Sequence, residues 1–470
     1  MTTVDIFLAL KFEMMISFII FLLLFLKIRS NQASHAQIIG IVNGLLLLTT
    51  LFFWFTPNDS LLFNDMFKTN TLIHFQKTLL TLGLLIVSGI SYKWLHKNAN
   101  LIEFYLLLLS ALLGMFFMIS SANLLMFYLG LELATIPLAA AANFDLEKRK
   151  SSEAAMKLIL SSAFSTALLL MGISFLYGTT GTILFSELSV SIVETPLSIF
   201  AFLLIFAGFA FKISVVPFHL WTADVYEGAP VPVTAFLSVV SKSAVSFVFI
   251  SVLYTVFQSM ALAWTIAISL LAFLSISIGN LFALRQQNLK RFLAFSAIAQ
   301  VGYILVALTG NQAVAQSSVI YFLFIYMFSN LAAFGVVGII SEQTGKENIE
   351  DYKGFYQTNK FLAWVLAIAL FSLAGVPPTA GFFGKFFLLM AGASKGNYVL
   401  LILAALNMVV SFYYYLRVVK VMFMDSNLHP IPKTEGGLYP TITLWICLAG
   451  MVILGLYGPI YEYIAHIVTL

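Results

Sequence analysis

The sequence predicts an all-α membrane protein that crosses the bilayer many times. Of its 470 residues, 61% are hydrophobic and only 9% are charged, and the mean hydropathy is +0.99. A soluble domain of this size carries about 25% charged residues, so most of this surface must face lipid. Apolar runs of about 20 residues, the length a helix needs to cross a bilayer, recur along the chain. Such runs exclude the alternating strands of a β-barrel.

Hydropathy indicates about fourteen spans. They lie near 10–27, 37–56, 71–92, 101–119, 122–142, 154–177, 197–219, 232–256, 261–283, 291–309, 316–341, 360–392, 398–421 and 440–464. The loops between them are too short to hold a soluble domain. Any redox cofactor or nucleotide site is therefore expected in a partner protein, not in this chain.

The composition also limits which kinds of bonding and binding site the chain is expected to contain. A single cysteine, Cys447, excludes an intramolecular disulfide framework and is expected to be a buried core thiol. The chain has no CxxC, CxxH or HExxH spacing, so we predict no metal site. The net charge of +4 comes without a basic, aromatic-interleaved patch, which gives no indication of nucleic-acid binding.

The distribution of lysine and arginine predicts the orientation. Cytoplasmic loops retain positive charge, and the loops on one side hold seventeen of these residues, whereas the other side has only Lys11, Lys68 and Lys395. Both termini are thus expected outside the cytoplasm, which requires an even number of spans.

Two blocks of five spans are expected to form inverted repeats. The fourth helix of each block is interrupted near a lysine: Lys212 precedes Pro217, and Lys385 follows Pro377 and Pro378. Broken helices at matching positions are typical of transporters, although prolines are also common in membrane helices generally. The predicted domains are residues 1–100 (spans 1–3), 101–257 (first repeat, spans 4–8), 258–421 (second repeat, spans 9–13) and 422–470 (C-terminal loop and span 14).

Four ionisable residues lie within predicted central spans: Glu132, Lys212, Lys242 and Lys385. A charge at the centre of a span costs about 2.5–3.5 kcal/mol, so such residues usually mark pathways. Lysine suits proton transfer because it can release its proton when buried, whereas arginine cannot. The set is therefore predicted to carry protons. The alternative is a buried Glu–Lys pair that only fixes helix packing.

Further charged residues have two possible roles each. Lys157 is either the mouth of a path or an interfacial anchor, and His219 is either a proton relay or a hydrogen-bonded structural histidine. Lys77 is expected at the edge of its span, snorkelling or in a local contact. Asp224 and Glu227 are expected as loop charges or helix caps.

Aromatic residues are interpreted as packing and anchoring groups. The chain has 46 phenylalanines and 19 tyrosines. Tyrosines are enriched where helices leave the membrane, so Tyr413, Tyr414 and Tyr415 are predicted to be interface anchors near the end of span thirteen.

The segment FKISVVPFHLWTADVYEGAPVPVTAFLSVVSK (211–242) closely resembles the antiporter-like membrane subunits of respiratory complex I, a NADH–quinone oxidoreductase. Its form is most similar to the N-type subunits. Four further stretches support the resemblance: FYLGLELATIPL (127–138), SSAFSTALLLMGISFLYGTTGT (161–182), NLKRFLAFSAIAQVGY (288–303) and AGVPPTAGFFGKF (374–386).

The resemblance implies a proton-translocating subunit with fourteen spans. It implies that Glu132 pairs with Lys212, that Lys242 is the central relay, and that Lys385 leads toward the outside. NADH, FMN, iron–sulfur clusters and quinone would belong to partner subunits. The expected partners are subunit M, the small hydrophobic membrane subunits and, indirectly, the peripheral arm.

Two other functions stay open, and one residue departs from the family pattern. The chain could belong to a multi-subunit cation/proton antiporter, or it could be a scaffold that pumps nothing. Gln300 occupies a position where the family commonly has histidine. Because an amide does not titrate, a relay at this point would have to use water or nearby hydroxyls such as those of Ser296 and Tyr303.

Overall fold

The computed structural model describes residues 3–29, 34–55, 59–434 and 436–469. In chain order, its first elements are α1 (Thr3–Ala9), α2 (Lys11–Ile28), α3 (His35–Leu51), β1 (Ser60–Leu62), β2 (Phe67–Thr69), α4 (Thr71–Ile90), α5 (Tyr92–Lys97), α6 (Leu101–Ile119), α7 (Leu124–Ala142), α8 (Arg149–Thr180), α9 (Phe185–Ser191), α10 (Pro196–Ile213), α11 (Leu220–Gly228), α12 (Val231–Phe236) and α13 (Lys242–Thr255). They continue with α14 (Ala261–Arg285), α15 (Leu289–Leu308), α16 (Gln312–Thr344), α17 (Phe355–Thr358), α18 (Lys360–Ala374), α19 (Ala380–Ala393), α20 (Tyr398–Phe423), α21 (Leu438–Leu456) and α22 (Pro459–Thr469).

The prediction of an all-α membrane protein is confirmed. Within the described ranges, twelve helices are long and apolar enough to cross a membrane. The predicted span 360–392 is divided into the two shorter apolar helices α18 and α19. The predicted span 197–219 stops as a helix at Ile213. Both interruptions lie where the prolines indicated them. The strands β1 and β2 form one short antiparallel hairpin.

The first compact unit comprises Met1–Ser88, Lys93–Ile213 and Gly228–Trp264. Glycines bring α6 and α7 close together in this unit. A Cβ atom at Gly114 would lie 2.5 Å from the nitrogen of Ala134, and one at Gly130 would lie 2.6 Å from the nitrogen of Met118. Small residues permit such approaches between membrane helices. The close packing fixes α7, which carries Glu132.

A π-helical segment, Leu237–Ser241, joins α12 to α13. Helical structure is therefore continuous from Val231 to Thr255, but its hydrogen bonding changes immediately before Lys242. Single-turn π segments inside α-helices occur frequently at functional sites. This one sets the direction in which the Lys242 side chain leaves its helix.

The second compact unit comprises Gly89–Tyr92, Ser214–Glu227 and Thr265–Leu470. In this unit, helix α16 packs against four other helices: α18, α19, α21 and α22. The break between α18 and α19 includes Gly375, whose φ of 87° lies in the left-handed region that glycine tolerates. A Cβ atom at Gly381 would lie only 1.8 Å from the carbonyl oxygen of Ser372, so the start of α19 lies directly against the end of α18. Cys447 is buried, as expected of a core thiol.

Candidate functional site

Lys212 lies in the last turn of α10, in the first unit, and is held by two hydroxyl groups. Its Nζ donates to Thr135 Oγ1 on α7 at 2.6 Å and to Ser162 Oγ on α8 at 2.7 Å. Helix α8 packs along α10 and also against α7, which brings these three helices together around the ammonium group. Both acceptors are neutral, so the charge of Lys212 is solvated by hydroxyl oxygens within the protein.

Glu132 lies one turn before Thr135 on the same face of α7. Its carboxylate acts electrostatically on Lys212, but among the described residues no ion pair within 4.0 Å joins the two side chains. The Oε1 atom of Glu132 is buried and has no hydrogen-bond partner in the described part of the chain. Lys212 is therefore bonded to the hydroxyls of Thr135 and Ser162 rather than to the carboxylate of Glu132.

Lys242, at the start of α13, is only 3% exposed. Ser243 and Ser246 on the same helix are buried as well. Ser246 lies one turn further along, on the face of α13 that carries Lys242, and its buried hydroxyl has no hydrogen-bond partner within the described ranges. Lys242 is therefore a deeply buried amine with hydroxyl groups on the same helix.

Lys385, in the second unit, lies in α19 next to the break between α18 and α19. Its side chain is only 1% exposed. Its Nζ donates to the carbonyl oxygen of Ala374, the last residue of α18, at 3.2 Å. The last carbonyls of a helix lack partners within the helix and carry partial negative charge. The Nζ also lies 5.0 Å from the centre of the Tyr303 ring, a distance at which the ring face attracts a cation. The helix break thus creates the acceptor that holds this lysine.

The two lower-ranked candidates lie in different surroundings. Lys157 is exposed on α8 and forms an ion pair with Glu153 at 2.7 Å, one helical turn away. His219 lies in the turn between α10 and α11, is 8% exposed and interacts with the carbonyl of Pro217. The structure thus gives His219 a buried hydrogen-bonded position and Lys157 a surface position.

Sequence reasoning missed several pairings between distant parts of the chain. Lys77 is fully buried and forms an ion pair with Glu13 at 2.5 Å, so it does not snorkel. Asp224 and Glu227 both accept hydrogen bonds from Arg291, at 2.7 and 3.0 Å. The partners come from 64 to 67 residues away, and no local pattern connects them.

Lys290 and Glu347 form a second ion pair in the second unit, at 2.9 Å. Glu347 also accepts hydrogen bonds from Ser341 and Asn288. Burial raises the pKa of Glu347, but the Lys290 ammonium and these donors lower it by more, so the pKa lies below its usual range. The carboxylate therefore stays ionised and fixes the loop before the helical turn Ile349–Tyr352.

The prediction that three consecutive tyrosines anchor the membrane interface is wrong for two of them. Tyr414 and Tyr415 are fully buried, whereas Tyr413 is 65% exposed. The Tyr415 hydroxyl is hydrogen-bonded to Ser296 Oγ and accepts a hydrogen bond from Gln300 Nε2 at 3.2 Å. Which faces of α20 are buried depends on how the helix packs against its neighbours, and composition alone does not reveal this.

Many spanning helices, two of them interrupted, and buried lysines at or near the interruptions define a polytopic membrane protein of the ion-translocating type. The family model described as NADH:quinone oxidoreductase/Mrp antiporter, TM matches residues 121–411. The chain belongs to this family.

Similarities to individual proteins support this family assignment. A NADH-quinone oxidoreductase subunit N from Phocaeicola vulgatus is 42% identical over 453 residues, which cover 95% of each chain. A chain of respiratory complex I from Thermus thermophilus is 27% identical with a TM-score of 0.79, covering 95% of this chain and 98% of that one. A chain of the Mrp complex from Dietzia sp. DQ12-45-1b has a TM-score of 0.86 but only 18% identity, over 99% of this chain and 97% of that one. That last similarity concerns the fold alone.

Proposed function

We propose that this chain is a proton-translocating membrane subunit of an NADH–quinone oxidoreductase, with the role of the N-type subunits that it resembles. The observation that carries the proposal is how Lys212 and Lys385 are held. Each ammonium group donates to neutral oxygens, two hydroxyls for Lys212 and one backbone carbonyl for Lys385. A buried amine bonded to neutral acceptors can give up its proton without breaking an ion pair.

Glu132 and Lys212 form the switch in this proposal. Lys212 can donate to Thr135 and Ser162, as here, or move toward the carboxylate one turn away on α7. Pairing would favour the charged form of both groups, whereas separation would favour proton release. Lys242 and Lys385 are the further proton carriers, one in each compact unit. Lys157 stays a candidate for the mouth of the proton path at the surface, and His219 a candidate relay at the helix break.

Electron transfer would take place in partner subunits. NADH, FMN, the iron–sulfur clusters and quinone would bind there, and electrostatic changes would reach this chain through neighbouring membrane subunits, among them subunit M. The lysine-rich loops would face the cytoplasm, so both termini would lie on the periplasmic side of the inner membrane. Residues 101–257 and 258–421 would be the two inverted repeats that carry the relay.

Substituting the central lysine tests the proposal. In the assembled complex, reconstituted in vesicles, Lys242→Ala is expected to lower the number of protons moved per NADH oxidised. The control is Lys395→Ala, because Lys395 is exposed in a loop. A complex that assembles with Lys242→Ala and keeps the unchanged proton yield would contradict the relay and favour a scaffold.

Co-purification distinguishes the related function of a cation/proton antiporter. If the chain belongs to an NADH–quinone oxidoreductase, partners with flavin and iron–sulfur absorbance should accompany it. Purification with small hydrophobic proteins alone, together with sodium efflux in the absence of NADH, would favour the antiporter instead.

A further inference from the structure

One face of α15 carries polar side chains on successive turns. Ser296, Gln300 and Tyr303 follow one another at spacings of four and three residues, which places them along one side of the helix over ~10 Å. All three are buried, Ser296 and Gln300 at 2% exposure and Tyr303 at 0%. A polar stripe in the interior of a membrane protein is costly unless its groups are bonded or functional.

Tyr415 on α20 is hydrogen-bonded to two residues of this stripe, Ser296 and Gln300. Its hydroxyl accepts from Gln300 Nε2 at 3.2 Å and is bonded to Ser296 Oγ, where either oxygen can be the donor. Gln300 Nε2 also donates to the carbonyl of Leu373 at 3.0 Å, which fixes the orientation of the amide. The hydrogen bond between the two hydroxyls can therefore reverse while the amide stays in place.

Tyr303, the last residue of the stripe, contacts Lys385. The ammonium group lies over the Tyr303 ring at 5.0 Å. Gln300 Oε1 is buried and has no hydrogen-bond partner within the described ranges, and the buried Tyr303 hydroxyl faces Asn280 and Ser411. An unmet buried polar group costs about 1–3 kcal/mol, so Gln300 Oε1 is a suitable partner for bound water, with the Tyr303 hydroxyl one turn further along α15.

We propose that Tyr415 is a proton-conducting residue of the second unit, passing protons between Ser296 and water held by Gln300 and Tyr303, next to Lys385. Ser296 passes its proton to the Tyr415 oxygen as it takes up another from water, while the Tyr415 hydroxyl's own proton leaves to the water held by Gln300. The hydroxyl is neutral before and after the step, and no electrons move. For transfer toward Lys385, the water passes the proton on to the neutral amine; for transfer in the other direction, the Lys385 ammonium supplies the proton and becomes a neutral amine.

This inference rests on the proposed function, and the chain offers a matched control for its test. Tyr415→Phe removes the buried hydroxyl, whereas Tyr413→Phe removes an exposed hydroxyl two residues away on the same helix. In the assembled complex in vesicles, Tyr415→Phe is expected to reduce the protons moved per NADH to the value found with Lys385→Ala. Tyr413→Phe should leave the yield unchanged.

Ser296→Ala provides a second measurement if Tyr415→Phe does not assemble. It removes a single oxygen atom from the same step and should give the same loss. The double variant should lose no more than either single variant, because both interrupt one path. If Lys385→Ala lowers the yield while Tyr415→Phe and Ser296→Ala do not, the inference is wrong and the proposed function stands. If Lys385→Ala and Lys242→Ala also leave the yield unchanged, the proposed function fails too.

Discussion

Lys77 Nζ and Glu13 Oε1 form an ion pair 2.5 Å long in which the side chains are 0% and 5% exposed. The pair joins α4 to the first turn of α2. The rings of Phe67 and Phe116 lie 5.0 and 5.9 Å from the ammonium group. Glu13 Oε2 has no hydrogen-bond partner within the described ranges. The carboxylate therefore depends on Lys77 for its charge compensation.

Removal of one partner of this pair is expected to destabilise the protein strongly. Lys77→Met leaves a buried carboxylate unpaired, which costs about 3–5 kcal/mol. The combined Glu13→Leu and Lys77→Met variant should regain most of the loss, because no charge is then left unpaired. Thermal unfolding of the purified complex measures both effects.

The control for this prediction is the exposed ion pair of Lys27 and Glu103, 2.6 Å long. Lys27→Ala should cost about 0–1 kcal/mol, as exposed pairs usually do. An equal loss of stability in Lys27→Ala and Lys77→Met would show that burial does not decide the contribution of Glu13 and Lys77.

The Thr135 hydroxyl is expected to control where Lys212 resides. Thr135→Val removes an acceptor of similar volume, and a hydrogen bond to a charged group contributes about 1.5–3 kcal/mol. Proton yield per NADH should fall in Thr135→Val and be retained in Thr135→Ser, which keeps the hydroxyl. Equal yields in the two variants would exclude a role for this hydrogen bond.

The contact between α18 and α19 is expected to tolerate no side chain at Gly381. A Cβ there would lie 1.8 Å from the Ser372 carbonyl oxygen, so Gly381→Ala must separate the helices at the break that positions Lys385. Yield of assembled complex should fall severely. Gly44→Ala is the control, because nothing lies within 4 Å of a Cβ at that glycine. In a helix that change is neutral or stabilises by up to about 1 kcal/mol. Normal assembly of Gly381→Ala would contradict the close contact.

Stability at acidic pH is expected to depend on Glu347. Since its pKa in the folded protein is lowered, its contribution is complete above the unfolded value of about 4.3 and is lost as the pH falls through the folded value. Glu347→Gln should therefore lower the melting temperature near pH 7, and the difference from the parent protein should shrink as the pH falls below about 4. The exposed Glu350 provides the control: Glu350→Gln should show no such convergence. A constant difference for Glu347→Gln would contradict the prediction.

The sequence was sufficient for the fold class and for both helix breaks. Hydropathy indicates directly that a helix lies in lipid rather than in water, and prolines indicate where helical hydrogen bonding stops. Glu132, Lys212, Lys242 and Lys385 could be singled out because a charge in an apolar run is rare. Their roles as proton carriers are still predictions.

The partners of these residues could not be predicted from the sequence. Thr135 and Ser162 lie 77 and 50 residues before Lys212 in the chain, and serine and threonine occur in many helices of this protein. A single clue was available for Thr135, which lies three residues after Glu132 and so shares its face. Tyr415 gave no such signal, because its burial depends on the packing of α20 and not on its neighbours in sequence.

The π segment Leu237–Ser241 accommodates one residue more than an α-helix would hold over the same length. Successive residues of an α-helix are rotated by about 100°. Deletion of one residue here would restore regular hydrogen bonding and turn α13 by about that angle relative to α12. Lys242 would then point to a different neighbour, although every side chain of α13 was unchanged. Point substitutions leave the rotation of α13 relative to α12 unchanged. The direction of the Lys242 side chain therefore depends on the number of residues in the π segment before it.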